Sequence, residues 1–315
     1  MDRREIIAGL TAISAGACLP HFAAAQGAWP EQNITMIVPF PPGGQADLAA
    51  RPVAQSLEKL LGRSIVVDNR GGGGGAIGNA ATARATPDGY TLLMTLSSLA
   101  VLPEAARLFD RPSPYEVTQL APIARVLADP TLLAVPASSP WKTLKDFVAD
   151  AKASPGTISY GSSGSYGTLH IAMEMFAASA GIKLLHVPYR GAGPALNDLL
   201  SGQLKALASA PGVLKPHVDS GALRVLANWG AQRIPSFPDL PTFKELGYED
   251  VEFYIWAGLF APNGLPAAVT RKLEDAMKRR WRIPRSSIYS RRREARRPIK
   301  MPSPSKPSSK PTAPG

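Results

Sequence analysis

The stretch Ile34-Thr35-Met36-Ile37-Val38-Pro39-Phe40-Pro41-Pro42-Gly43-Gly44-Gln45-Ala46-Asp47 constrains the fold more than any other part of the chain. An apolar, β-branched run stops at prolines, passes two glycines and enters a helical pattern near Asp47. Proline removes a ladder donor and glycine accepts backbone conformations that side chains forbid, so the order predicts strand, tight loop, helix. Such a junction carries chemistry. The first N–H groups of a helix have no intrahelical partner and bear partial positive charge, and glycines let a ligand approach them closely. The arrangement suits an anion such as a carboxylate. It also suits an ordinary turn of an α/β protein, the fold class in which sites gather at such loops.

The same alternation runs on. Residues 47–61 read as an amphipathic helix with Leu48, Val53, Leu57, Leu60 and Leu61 apolar, and Gly62 stands where a helix-ending glycine belongs. A strand at 64–67, the glycine run 71–75, a helix at 79–85, the turn Pro87-Asp88-Gly89 and a strand at 90–95 follow. This βαβαβ order argues for a parallel sheet covered by helices. A second block starts near Pro130, with strands at 131–135, 158–160, 184–188 and 204–208 and helices at 143–153, 170–180 and 194–201. Residues 225–227 resemble a strand leading back, and 242–246, 252–260 and 267–278 complete the pattern. The expectation is an α/β protein of two lobes. Residues 26–128 with 225–278 form lobe I and 129–224 form lobe II, and the chain crosses between them near 125–130 and near 224–229.

The two ends differ from this body. Residues 1–25 read as an export signal, with Arg3 and Arg4 basic, 6–19 apolar and Ala23-Ala24-Ala25 before Gln26. The apolar run is shorter than the ~20 residues of a membrane span. Cys18 is the chain's only cysteine and lies inside the signal, so the mature protein carries no disulfide and no thiolate metal site. A soluble protein of the periplasm is expected. Residues 279–315 hold twelve Lys/Arg and one acidic residue, Glu294, which accounts for the whole formal net charge of +11. The body is neutral, so the high pI says nothing about its partners. The tail, Arg-rich and then rich in Pro, Ser and Lys, predicts disorder. A nucleic-acid or membrane arm is the functional reading of such charge. It fits badly with an exported protein, and no nucleic-acid partner is expected.

Four motifs bear on chemistry. Gly73-x-Gly75-x-x-Gly78 matches a dinucleotide fingerprint in form, but five consecutive glycines satisfy many patterns and no acidic residue follows at the ribose spacing. A loop lining a cleft is the better reading. Gly161-Ser162-Ser163-Gly164-Ser165-Tyr166-Gly167-Thr168-Leu169-His170 again joins a strand to a helix, where hydroxyls and free N–H groups can converge on a ligand. Capping of the helix by Ser165 or Thr168 is the alternative. Thr95-Leu96-Ser97-Ser98 ends a strand and either supplies hydroxyls to the same cleft or forms a simple turn. Tyr189-Arg190-Gly191 stands in the same position after a later strand; Arg190 either pairs with a carboxylate or lies solvated. His170 and His186 are conceivable bases, but each sits among apolar residues as a packed histidine does. The histidines show no metal-ligand spacing. No catalytic constellation is visible, and no cofactor, metal or enzymatic activity is expected.

Together these segments resemble the Bug-type solute receptors of tripartite tricarboxylate transporters, the TctC family. The resemblance rests on residues 37–44 with Asp47, on 66–78 with its Asn-Arg-Gly-Gly run, and on Pro87-Asp88-Gly89-Tyr90-Thr91-Leu92-Leu93. It rests also on His186-Val187-Pro188-Tyr189-Arg190-Gly191, on 194–203, on Pro238-Asp239-Leu240-Pro241-Thr242 and on Gly258-Leu259-Phe260-Ala261-Pro262. It implies a two-lobed periplasmic binding protein of type II, with two α/β domains joined by a two-crossing hinge, closing on a small carboxylate. Two loops would pinch the ligand, 39–47 and 161–168. The residues so implied are Phe40, Pro41, Gly43, Gly44, Asp47, Thr95, Ser97, Ser162, Ser163, Ser165, Thr168 and Tyr189. The implied partners are the carboxylate and the membrane subunits of a tripartite tricarboxylate-type transporter, and the receptor itself is expected to be a monomer. An exported enzyme acting on a carboxylated metabolite and a sensor for a membrane signalling protein are the rival readings. The chain departs from the family at Leu204-Lys205, where a hydrophobic-Asp pair is usual, and at Ser209-Ala210-Pro211-Gly212, which lacks the usual acidic or amide group. It departs again after Lys278, where 279–315 reads as the product of a frame shift.

Overall fold

The computed structural model describes residues 29–282. The expected export signal, with Cys18, and the expected tail beyond residue 282 lie outside the described residues. The chain begins with β1 (Ile34–Val38), α1 (Gln45–Leu61), β2 (Ile65–Asn69), α2 (Ala76–Ala83), β3 (Thr91–Leu96), α3 (Ser98–Leu108) and β4 (Leu120–Pro130). Thr131 alone separates β4 from β5 (Leu132–Pro136). Then come α4 (Leu144–Ala153), β6 (Ser159–Ser162), α5 (Thr168–Ala180), β7 (Leu185–Pro188), α6 (Ala192–Leu200), β8 (Ala206–Ser209), α7 (Pro211–Asp219) and β9 (Leu223–Asn228). β10 (Tyr254–Pro262) and α8 (Ala267–Arg282) complete the described chain. The final helix therefore runs past Lys278, through the first residues of the basic stretch.

The strands form two five-stranded sheets, ordered β2-β1-β3-β10-β4 and β7-β6-β8-β5-β9. In the first, β1 pairs parallel with β2 and β3, and β10 lies antiparallel between β3 and β4. In the second, β6 pairs parallel with β7 and β8, and β5 lies antiparallel between β8 and β9. Both sheets are thus mixed, where the βαβαβ order alone predicts parallel ones. The reason is connectivity. β5 and β10 each arrive from the other lobe, so no crossover helix forces them parallel.

The return crossing also lies elsewhere than the sequence reading places it. β9 pairs with β5 in the second sheet, and Trp229, Phe237, Leu240 and Phe243 are buried in the second core. The chain stays in lobe II until Phe253. Periodicity identifies residues 225–227 as a strand but does not say which sheet the strand joins. The two crossings run side by side: Trp229 donates its N–H to the Thr131 carbonyl at 2.9 Å, and Phe253 donates to the Trp229 carbonyl at 2.9 Å. Tyr254 pairs in register with Pro130.

Each lobe has its own core. α1 lays Ala46, Ala49, Ala50, Val53, Ala54 and Leu57 onto the first sheet, while Leu48 points out and is 46% exposed. Gly62 takes the left-handed conformation at φ 71° and donates to Glu58, closing the helix. α8 contributes Leu273 and Met277 to the same core. In the second lobe the rings of Phe176, Trp229 and Phe243 pack together, with centroids 4.8 Å apart for Phe176–Phe243 and 4.4 Å for Trp229–Phe243. Those contacts fix the segment after β9 to lobe II.

Candidate functional site

The site is built where the β1–α1 loop meets the β6–α5 loop. On the first lobe, Asp47 is 3% exposed and its carboxylate is fully engaged. It accepts from the Gly43 N–H at 3.1 Å, from Arg51 Nε and an Arg51 terminal nitrogen at 2.9 Å each, and from Asn69 Nδ2 at 3.2 Å. Asn69 Nδ2 also donates to the Phe40 carbonyl at 2.9 Å. Burial pushes the Asp47 carboxyl up, but the bonds from Arg51, Gly43 and Asn69 outweigh it and hold the group below the usual carboxylate range. Asp47 therefore braces the loop from behind. Gly44 occupies the N-cap position of α1 with no side chain to offer, so the amides of the first turn are left for other partners.

On the second lobe, α5 also starts from a glycine, Gly167, without a side-chain cap. The Ser163 hydroxyl, in a residue 2% exposed, has no hydrogen-bond partner within the protein. Thr168 is completely buried and reaches the other lobe: its hydroxyl oxygen accepts from Ser97 Oγ and from the Ser98 N–H, both at 3.1 Å. Ser98 Oγ in turn donates to the Gly74 carbonyl at 2.8 Å. The glycines permit the approach. A Cβ on Gly164 would lie 2.7 Å from the Gly74 nitrogen, and one on Gly193 would lie 2.9 Å from the Pro42 carbonyl oxygen.

Between these loops lies a narrow cavity of about 10 Å³, room for about one water molecule. Phe40, Gly44, Gln45, Ala46, Leu96, Ser163, Leu169, Ala192, Ser209 and Ile255 line it. A larger surface depression on lobe II, along α4 beside Leu246 and Tyr248, shares no lining residue with this cavity and has only Lys145 and Lys152 as charged lining.

The expected site residues divide sharply. Phe40, Gly44 and Ser163 line the cavity. Pro41 and Gly43 shape the loop beside it, Pro41 packing toward Gly71 and Gly191, and Gly43 holding φ 85°. Ser97 and Thr168 tie the lobes together. Thr95 turns its hydroxyl into lobe I, donating to Asn79 at 2.9 Å. Ser165 is exposed. Tyr189 donates to Asp198 at 2.5 Å, and burial together with that carboxylate pushes its phenol up to about 12. The sequence reading missed Gln45, Ala46, Leu96, Leu169, Ala192, Ser209 and Ile255. Gln45 and Leu169 had a legible signal, since each lies in the first turn of a helix after a glycine loop. Ile255 had none, because only the return of β10 brings it there.

Ser162 belongs to a separate cluster. Its hydroxyl lies 2.6 Å from His186 Nε2, and the His186 ring stacks on His170 with centroids 4.0 Å apart. His170 Nδ1 accepts from the Tyr166 N–H at 3.0 Å, and Tyr160 donates to Glu174 at 2.5 Å. Burial, with His170 adding to it against Glu174, pushes His186 down to about 4. Burial lowers His170 as well. Both rings are neutral near pH 7 and support the base of the 161–168 loop. Among the described residues no group of three or more His, Cys, Asp or Glu side chains is arranged to hold a metal ion, and no helix is long and apolar enough to cross a membrane.

Comparison with known proteins agrees with this architecture. The model of the tripartite tricarboxylate transporter family receptors matches residues 49–290. Protein BugT of Bordetella pertussis is 38% identical over 267 residues, covering 84% of this chain and 80% of its own. The solved structure of the periplasmic binding protein BugD superposes with a TM-score of 0.77 at 32% identity, covering 82% of this chain and 86% of that one. MatC of Rhodopseudomonas palustris, solved with bound malate, gives a TM-score of 0.75 at 28% identity over 80% of this chain and 85% of its own.

Proposed function

The chain belongs to the tripartite tricarboxylate transporter family of receptors, and on that premise we propose that it is an exported solute receptor that closes on a small carboxylate. The observation that carries the reading is the meeting at one cavity of the uncapped start of α1 at Gly44, of Leu169 from the uncapped first turn of α5, and of the unpartnered hydroxyl of Ser163. Amides of a first turn stabilise negative charge, and a buried hydroxyl without a partner gains a bond when a carboxylate accepts from it. Closure brings these groups together, and Ser97, Ser98 and Thr168 latch the lobes across the ligand. The two crossings at Thr131 and Phe253 form the hinge. The malate seen in MatC supports the carboxylate class. Release then passes the solute to the membrane subunits of a tripartite tricarboxylate-type transporter in the periplasm.

The close Ser162–His186 contact is the one feature that favours an exported enzyme. Ser162 is 0% exposed, does not line the cavity and also bonds to Gly164, so it is no accessible nucleophile. The test is binding with mass balance. Native mass spectrometry should show one carboxylate per chain, returned unchanged, and saturation at a hundredfold excess over Kd should add ~2.7 kcal/mol of stability. A carboxylate panel that neither binds nor shifts the melting temperature would sink the receptor reading; turnover of the solute would replace it with an enzyme.

A further inference from the structure

Among the described residues only two other than glycine hold a positive φ, Asp110 at 50° and Tyr166 at 58°. They stand on different lobes, at the one place where, among the described residues, two aromatic rings meet from lobe to lobe. There Phe109 and Tyr166 lie with ring centroids 5.2 Å apart and planes tilted by 39°. Asp110 closes α3: it donates its N–H to the Arg107 carbonyl at 3.2 Å, and Arg111 donates to the Ala106 carbonyl at 2.8 Å. Those are the two bonds of a helix that ends on a left-handed residue, a conformation that aspartate tolerates. Phe109 is left at the end of α3, 45% exposed, with the Arg111 guanidinium carbon 5.8 Å from its ring centre. For a tyrosine the left-handed region is a true outlier, and it persists only where the surroundings over-determine it. Here the Tyr166 N–H donates to His170 Nδ1 at 3.0 Å, and the Tyr166 ring meets the His170 ring edge-on at 5.6 Å. Tyr166 is partly buried, two residues before the wholly buried Thr168. The ring pair thus occupies the solvent edge of a lobe contact whose interior holds the Ser97–Thr168 bond.

We propose that Phe109 and Tyr166 form a clasp that holds the two lobes together at the rim and sets how long a bound solute stays. The proposal rests on the receptor reading above and adds two residues to its closing mechanism. Backbone strain kept at a contact between moving parts belongs to what that contact does. A return of Tyr166 to the ordinary negative φ range would re-aim its ring away from Phe109. The ring contact exists only with the lobes together, so it favours the closed form over the open one. A tilted aromatic pair at this separation is worth about two- to tenfold in such an equilibrium. The gain falls on release, because the clasp forms after the solute has entered.

The test is stopped-flow dissociation from the purified, signal-free chain. Acetate, malate, adipate and citrate are screened by calorimetry, and the tightest of them is the probe. Phe109→Ala and Tyr166→Ala should each speed dissociation about two- to tenfold and leave association within about twofold. The double variant should release the probe no faster than the faster single variant, because either change removes the whole contact. Tyr166→Phe keeps the ring and should match the wild type. Circular dichroism and melting temperatures of the ligand-free proteins check that each variant is folded, and Phe109, nearly half exposed, is the less demanding position. Unchanged dissociation in both single variants, or effects that multiply in the double variant, would overturn the clasp and leave the receptor reading in place. Release from Tyr166→Phe as fast as from Tyr166→Ala would assign the effect to the hydroxyl and overturn it too. Failure of every probe to bind the folded wild type would defeat the receptor reading itself, and the clasp with it.

Discussion

The Ser97 hydroxyl donates to the Thr168 hydroxyl oxygen at 3.1 Å, and the two residues stand on different lobes. Thr168 accepts from the Ser98 N–H at the same distance, so one side chain on α5 gathers two donors from the end of β3. A threonine at the start of a helix usually serves its own helix. Here it serves the opposite lobe, as the latch of the proposed closure would.

Thr168→Val keeps the shape and removes the acceptor. With about 1 kcal/mol at stake for each of two bonds, ligand affinity should fall by roughly ten- to thirtyfold. The loss should fall on the dissociation rate, since the latch forms after encounter. Stopped-flow binding checks this; an unchanged dissociation rate would mean that closure does not depend on the latch.

Thr95→Val should behave differently. Its hydroxyl serves Asn79, which in turn donates to Tyr115 inside lobe I. Stability should drop by about 1–2 kcal/mol because a buried amide oxygen loses its donor. Ligand affinity should stay within about twofold, since no bond to the ligand is removed. Urea denaturation and calorimetry on the same protein separate the two effects, and a large affinity loss would return Thr95 to the binding site.

Asp47→Asn should destabilise lobe I by about 1–3 kcal/mol at pH 7, the cost of leaving buried donors poorly matched. The folded carboxyl titrates below its unfolded value. Its contribution is therefore present above about pH 3.9 and is lost as pH falls through the lower folded value. The gap between the two proteins should narrow in acid. A gap that stays constant down to pH 2.5 would show that charge is not what Asp47 contributes.

The histidine pair gives a second pH dependence, in a higher window. His186 titrates near 4 in the folded chain, against about 6.5 when unfolded. The unfolded state binds the extra proton first, so stability is complete above about pH 6.5 and falls as pH drops toward 4. His186→Gln should flatten the melting temperature across that interval. A wild-type curve already flat from pH 7 to 4 would contradict the neutral, buried pair.

Gly78 is a position where a methyl group should be felt at the site from outside it. A Cβ there would lie 2.7 Å from Pro39 Cβ and 2.8 Å from Pro39 Cα. Gly78→Ala should cost about 1–3 kcal/mol by overpacking and weaken binding by displacing the Pro39–Phe40 backbone. Normal stability with normal affinity would show that the loop absorbs the shift.

Much of this protein is written locally. The run from Ile34 to Asp47 specifies strand, loop and helix because proline, glycine and apolar spacing act on neighbouring residues. The uncapped first turns after Gly44 and Gly167 are not visible in this way: periodicity starts the two helices at residues 47 and 170 and leaves Ser165 or Thr168 as a cap, and only the structure puts a glycine at each N-cap. The resemblance between motifs then assigns the family. Pairing is not local. Nothing in residues 223–228 says that β9 joins β5, and nothing near Tyr254 says that β10 enters the first sheet antiparallel. Those choices follow from which apolar faces are buried together, as when Trp229 and Phe243 pack on Phe176. The same holds for the site. Asp47 and Thr95 carry the right chemistry at the right loop ends, yet bonds from Arg51 and Asn69, and to Asn79, turn them inward. Ile255 and Leu96, ordinary strand residues in the sequence, become cavity wall only because the chain crosses twice between lobes. Sequence determined the elements and the loops between them, since those depend on backbone preference over a few residues. Tertiary structure decided which side chains reach the cavity, because that depends on contacts between segments far apart in the chain.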